Sequence, residues 1–223
     1  MRKKVDGVNI AAGKKVARIP AQSDAVASSY HHGNLRQALI DAGLALLEDG
    51  ETDERGELSL RELARRVGVS ANASYRHFAD KEALLLALAA EGFRIMAASQ
   101  AKAAQAERQP MQRHRAAGSA YIRFARDNPA LFRLMFGRFS SGHHNKELDA
   151  AAKGAFEALR AGVARALELK PEEERVTVAA VRSWALVHGL SLLLLDGQIN
   201  KLSADPEVLI EAILQQSSAS TGY

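Results

Sequence analysis

Between Ser59 and Lys81 the chain gathers Arg61, Ser70, Asn72, Tyr75, His77 and Lys81, side chains whose types meet DNA. Asn pairs bidentately with the adenine edge, while small residues such as Ala71 and Ala73 allow close approach or touch a thymine methyl. Ser70 and Tyr75 reach phosphate oxygens, and so does Lys81, which adds affinity without reading sequence. This chemistry serves recognition only if the residues stand on a short rigid element narrow enough for the major groove.

The surrounding spacing predicts such an element. Ser59 followed by Glu62 is a capping-box pattern that opens a helix. Leu60, Leu63, Ala64 and Val67 then fall on one apolar face, with Arg61, Arg65 and Arg66 turned elsewhere. Gly68 stops the helix at a position that favours positive φ, and Val69 can pack back on it. Ser70 is a second N-cap, from which a helix runs from about Ala71 to Phe78. Two short helices about a glycine turn form a helix-turn-helix, whose second helix enters the major groove. The competing reading is plain helical packing, with Tyr75 and Phe78 both in the core.

The same run resembles the DNA-binding domain of TetR-family transcriptional regulators, with a Gly-Val-Ser turn (Gly68, Val69, Ser70), a Tyr-x-His-Phe motif (Tyr75, His77, Phe78) and a following Lys81. The resemblance reaches back through a first helix in Asn34 to Gly50, carrying Leu35, Leu39, Ala42, Leu46 and Leu47, and forward to Phe93. It implies that Arg61, Ser70, Ala71, Asn72, Tyr75, His77 and Lys81 contact double-stranded DNA, with Ser59 and Ser74 in the same set. Two features depart from the family pattern. The loop Gly50 to Leu58 is longer than usual, with Leu58 in place of an aromatic residue, and Ser74 stands where an apolar residue is common.

Charge distribution agrees with a DNA reader. The net charge is +4. Residues 59–81 carry five basic residues against two acidic ones, whereas residues 41–57 carry seven acids and one arginine. The field is polarised toward the helix-turn-helix. Residues 1–29 form a basic arm without sustained periodicity, expected to be mobile; it either tracks the DNA backbone or is a solvated leader.

Chain length and apolar content bound the rest. At 223 residues with 47% hydrophobic content the chain can build a real core. Zero cysteines exclude disulfides, thiol catalysis and zinc-finger geometry, and fit a cytoplasmic protein. No uninterrupted apolar run approaches the ~18 residues of a membrane span, and no signal-peptide core follows the basic start, so no membrane partner is expected. Nucleophile elbow, Walker loop and HExxH are all missing, which leaves an all-α enzyme as the weakest reading.

From Lys81 onward the pattern is helical almost throughout, which makes the fold class all-α. Helices are expected over Lys81–Gln105, capped by Asp80, from Pro110 to Asp127, over Ala130–Phe139, Glu147–Leu169 and Glu172–Leu195, and from Pro206 to about Gln216. The expected organisation is an arm (1–29), a three-helix DNA-binding domain (30–80), a helical bundle for ligand binding and dimerisation (81–217) and a frayed tail (218–223). The helix from Glu172 is apolar nearly all round between Ala179 and Leu195. Such a helix either lies deep in a core or pairs with its copy across a two-fold axis.

AYIRFARDNPALFRLMFG and WALVHGL extend the resemblance to the TetR subgroup with a Trp-x-x-x-His-Gly signature, here Trp184, His188 and Gly189. It implies a homodimer on a palindromic operator, most often a repressor, with a small-molecule effector pocket in the C-terminal bundle. The pocket candidates are Phe93, Met96, Tyr121, Phe124, Met135, Phe156, Trp184 and His188, which would equally serve a plain core. A DNA-binding regulator governed by a protein partner instead of a ligand is the alternative. His143 and His144, near Asn145 and Glu147, invite a metal reading, but adjacent loop histidines rarely converge on one ion, so no metal and no cofactor is expected.

Overall fold

A computed structural model describes residues 34–49, 58–137 and 145–219. The arm, most of the loop after Gly50, the His143–His144 pair and the last four residues lie outside the described residues. Among the described residues there is no strand. The order is α1 (Leu35–Asp49), α2 (Leu60–Val67), α3 (Ala71–Tyr75), α4 (Lys81–Gln105), α5 (Pro110–Asp127), α6 (Pro129–Phe136), α7 (Lys146–Leu167), α8 (Glu174–Leu195), α9 (Gln198–Leu202) and α10 (Pro206–Ala219).

Helix α2 ends as its sequence predicts. Gly68 has φ 77° and ψ 29°, its N–H bonds to the Arg65 carbonyl, and the Val69 N–H reaches back to Ala64 at 2.9 Å. That pair of bonds is a Schellman closure, and it needs the left-handed residue that glycine supplies without strain. The start of α2 differs from expectation. The Ser59 side chain makes no capping bond, and Glu62 instead takes Arg65 at 2.6 Å and Arg66 at 3.2 Å. Charge-assisted bonds within one turn have drawn the carboxylate away from the Ser59 N–H. The hydrogen bond from Arg65 chiefly holds the Glu62 carboxyl down at about 2.

Helix α3 is short because the last turn expected of it, through Phe78, is irregular. Ser70 caps its start, its hydroxyl accepting from Ala73 N, and the Phe78 N–H closes on the Ser74 carbonyl at 3.1 Å. Phe78 then turns inward onto Leu39, Ile40, Leu63, Leu84 and Leu88, the core shared by α1, α2 and the first turns of α4.

Helix α4 starts at Asp80, whose carboxylate accepts from Ala83 N at 2.8 Å. Residues Leu84 to Ala90 are buried without a break, so this part of the helix is covered all round. One side of it completes the α1–α3 core. The other, through Phe93 and Met96, joins Tyr121 and Phe124 of α5 and Leu131, Phe132 and Met135 of α6. Gly92 is what lets α6 approach: a Cβ there would lie 2.7 Å from Met135 Sδ and 3.0 Å from Leu131 Cδ1. Both cores belong to the compact unit that begins at Leu35.

Boundary differences are small and have local causes. Helix α6 starts one residue early, on Pro129, whose fixed φ suits the first helical position. Helix α7 stops at Leu167 because Glu168 turns left-handed at φ 56°. Helix α9 was not foreseen; Gly197 (φ 69°) breaks the chain after α8, and Ile199 anchors the short helix against Leu190, Ile210 and Leu214. Helix α10 runs on to Ala219, past the expected end near Gln216.

Helix α8 packs on α5 and α7 along one side through Val176, Ala180 and Leu190. Val178, Val181, Leu192 and Leu193 are exposed, between 40% and 53% open to solvent. By length and hydropathy it is the single described helix apolar enough to cross a membrane, yet only 22% of that window is buried. The single-core-helix alternative is therefore not what forms.

Candidate functional site

The helix-turn-helix presents its polar residues outward. Arg61, Ser70, Asn72, Tyr75, Arg76 and His77 are exposed, Tyr75 at 45%, while Phe78 beside them is 2% exposed. The aromatic pair of the motif is thus split between surface and core. Ser59, Ala71 and Lys81 are half-buried at the edges of this surface. Ser74 departs from the candidate set. It is fully buried, and its hydroxyl donates to the Ala71 carbonyl at 2.7 Å. A buried polar side chain satisfied inside its own helix is a packing element, so Ser74 does not face DNA.

Farther along the chain, α4, α5, α6, α7, α8 and α10 line a cavity of about 330 Å³. Of the candidates, Phe93, Met96, Tyr121, Met135, Phe156 and Trp184 line it. Two do not. Phe124 is turned into the α4–α6 core, and His188 lies behind the wall, with Nδ1 2.9 Å from the Tyr121 hydroxyl. His188 sits 4.6 Å from the Phe136 ring centroid and Tyr121 5.7 Å from that of Phe132. Burial raises the Tyr121 phenol above its usual value and lowers the His188 imidazole. Both therefore stay uncharged near neutrality, and the pair braces the cavity wall.

The cavity also has a polar end. His114 Nε2 lies 3.2 Å from Ser183 Oγ, Gln100 donates to the Ala117 carbonyl at 3.3 Å, and Arg115, next to His114, also lines the cavity, as Asp149 of α7 does. Burial lowers the His114 imidazole, which keeps it neutral.

Helix α7 links this wall to α1. Asn145 caps α7 through bonds from Glu147 N and Leu148 N, both 3.0 Å. Glu147 accepts from Arg36 of α1 at 2.5 Å and from Arg94 of α4 at 2.8 Å, and Arg36 also lies 5.3 Å from the Phe78 ring centroid. Leu148 and Asp149, next in sequence, line the cavity. Asn145 and Glu147 are committed to these bonds, and the described residues contain no group of three side chains able to hold a metal ion.

Two family models match the chain. "Bacterial regulatory proteins, tetR family" covers residues 39–88, and "Tetracyclin repressor-like, C-terminal domain" covers residues 114–216. The chain belongs to the TetR family. Its fold is similar to that of a protein of unknown function from Rhodococcus sp. RHA1, with 29% identity over 86% of this chain and 97% of that one and a TM-score of 0.72. A tetR-family transcriptional regulator from Streptomyces coelicolor shares 21% identity over 82% of this chain and 78% of its own, with a TM-score of 0.63. The transcriptional regulator FadR from Bacillus subtilis, solved in complex with stearoyl-CoA, shares 14% identity over 84% and 99%, with a TM-score of 0.60. A comparison with curated proteins finds no match.

As a TetR-family member the chain is a DNA-binding transcriptional regulator and not an enzyme. Sequence reasoning missed Gln100, His114, Arg115, Phe136, Leu148, Asp149 and Ser183 in the wall of this regulator's cavity. A signal was available for some of them. His114 and Gly118 lie two turns and one turn before Tyr121 on the same face of α5, so extending the Tyr121 stripe backward reaches His114. Arg115 had none, because an arginine on a helix flank reads as solvated.

Proposed function

We propose that this regulator is a homodimeric repressor, cytoplasmic, that holds a palindromic operator through Arg61, Ser70, Ala71, Asn72, Tyr75, His77 and Lys81 and releases it when a small molecule enters the α4–α10 cavity. The observation that carries the ligand-controlled reading is the cavity itself, a mostly apolar space with a few polar groups, of the size small-molecule sites have. A partner-controlled regulator needs no such space, and a filled core beside Trp184 would have favoured that alternative. The Trp184, His188 and Gly189 signature supports the Trp-x-x-x-His-Gly subgroup.

The exposed apolar face of α8 supports the dimer. Val178, Val181, Ala185 and Leu192 follow one another at helical spacing, and Val208 of α10 is 65% exposed. A Cβ on Gly189 would meet nothing, which leaves room for a second copy to approach closely. Two-fold pairing of α8 and α10 would cover this surface and set two α3 helices for successive major grooves. Ligand entry displaces α7, and the Glu147 ties pass that movement to α1 and α4. Operator affinity then falls by the ligand's differential affinity for the two states.

Selection of bound sequences from random duplex DNA tests the reading, with compounds then screened for release of the best sequence. Lys81→Ala should weaken every duplex alike and lower the slope of log affinity against log salt by about one unit. Failure to retain any duplex at low ionic strength would sink the proposal.

A further inference from the structure

The cavity's polar end contains one group that the fold leaves unsatisfied. Arg115 Nε is shut off from solvent and has no hydrogen-bond partner. Buried polar atoms without partners are rare because desolvation costs each of them free energy, and a guanidinium N–H is among the costly ones. Several other arginines hold carboxylates: Arg36 and Arg94 on Glu147, Arg126 on Glu207, Arg133 on Asp196. Arg160, whose Nε is likewise without a partner, still holds Glu157 at 3.0 Å through a terminal nitrogen. Among the described residues no carboxylate takes Arg115. Asp149 lines the same cavity but is exposed and does not close on it.

The surroundings narrow what could. His114 is neutral, so Arg115 is the one cation among the lining residues. The rest of the wall is largely apolar, including Phe93, Met96, Phe156, Leu159 and Trp184. A ligand that suits both features is anionic at one end and apolar over the remainder. A guanidinium presents parallel N–H groups that match a planar carboxylate two for two.

We propose that the cavity takes a small organic acid, its carboxylate on the Arg115 guanidinium within reach of the His114–Ser183 pair, and its apolar body among Phe93, Met96, Phe156 and Trp184. This inference rests on the reading of the cavity as the effector site. Arg115 then sets ligand class, and the apolar wall sets ligand size.

The test uses the full chain and three probes: Nile red as a neutral apolar dye, decanoate, and methyl decanoate. Decanoate should displace Nile red at a concentration at least about tenfold lower than the ester, as a charge-assisted bond in a shielded site gives. In Arg115→Leu the dye should bind as before while the acid–ester ratio collapses toward one. Arg115→Lys, which keeps the charge and loses the fork, should keep part of the ratio. The wild-type ratio stands as evidence whether or not a variant folds. Equal displacement by acid and ester in the wild type, or a ratio that survives Arg115→Leu, would overturn the acid proposal and leave the effector cavity standing. If Nile red does not bind and neither compound changes the emission of Trp184, the chain's single tryptophan, both readings fall.

Discussion

Replacing Glu147 by Gln tests the tie between the cavity wall and the DNA-reading end. The carboxylate holds two guanidiniums from different helices, Arg36 of α1 at 2.5 Å and Arg94 of α4 at 2.8 Å. Those arginine side chains are 40% and 45% exposed, so water screens both pairs and the surface ion-pair range applies, not the buried one. At about 0.5 kcal/mol each, the two pairs together stabilise the fold by about 1 kcal/mol. In a chain of this size that is a fall in Tm of about 3 °C at neutral pH.

The pH dependence gives the sharper readout. Burial pushes the Glu147 carboxyl up, but the hydrogen bond from Arg94 and the neighbouring charge of Arg36 outweigh it and leave the carboxyl below its ordinary 4.5. The unfolded chain therefore takes up this proton first as pH falls. The stabilisation from Glu147 is complete above 4.5 and is lost as pH falls through the folded value. Thermal unfolding of both proteins across that window should show a gap that is full at neutral pH and narrows on acidification. Equal Tm at neutral pH, or a gap that widens in acid, would refute the reasoning. The variant should also need more effector to release the operator, since α7 no longer pulls on α1.

Left-handed positions give a pair of opposite expectations: Gly68→Ala should destabilise by about 1 kcal/mol and Glu168→Gly should stabilise by a similar amount, read from denaturant midpoints, because only glycine occupies positive φ freely. Burial lowers the His114 and His188 imidazoles from 6.5, so stability should fall as pH drops below 6.5 and level off below their folded values; calorimetry of His114→Gln should show a weaker dependence, and an unchanged one would contradict the assignment. Val181→Glu, a charge placed on the exposed face of α8, should shift the protein to monomer in light scattering at micromolar concentration and abolish operator binding, with helicity retained.

The helix-turn-helix was legible because its information is local. Gly68 at a left-handed closure, Ser70 and Asp80 as N-caps, and Pro110 and Pro129 at first helical positions each act within one turn of the chain, so residue type alone announces them. Helix α4 could be placed to the residue for the same reason. The Ser59–Glu62 box failed on an equally local competition, which Arg65 and Arg66 won by charge.

Tertiary structure decided what helical spacing leaves degenerate. Tyr75 and Phe78 look alike as members of one motif, yet only packing against α1 and α4 buries one and exposes the other. Phe124 and Tyr121 are a turn apart on α5, and the direction in which α6 and α8 meet that helix puts Tyr121 on the cavity and Phe124 in the core. The part Glu147 plays was hidden in sequence because its partners, Arg36 and Arg94, are distant along the chain, and Arg115 reads as solvated until the cavity beside it is seen. Residue types along one turn set caps, turns and apolar stripes; whether a side chain ends in core, cavity or solvent is a property of the helices that cross it.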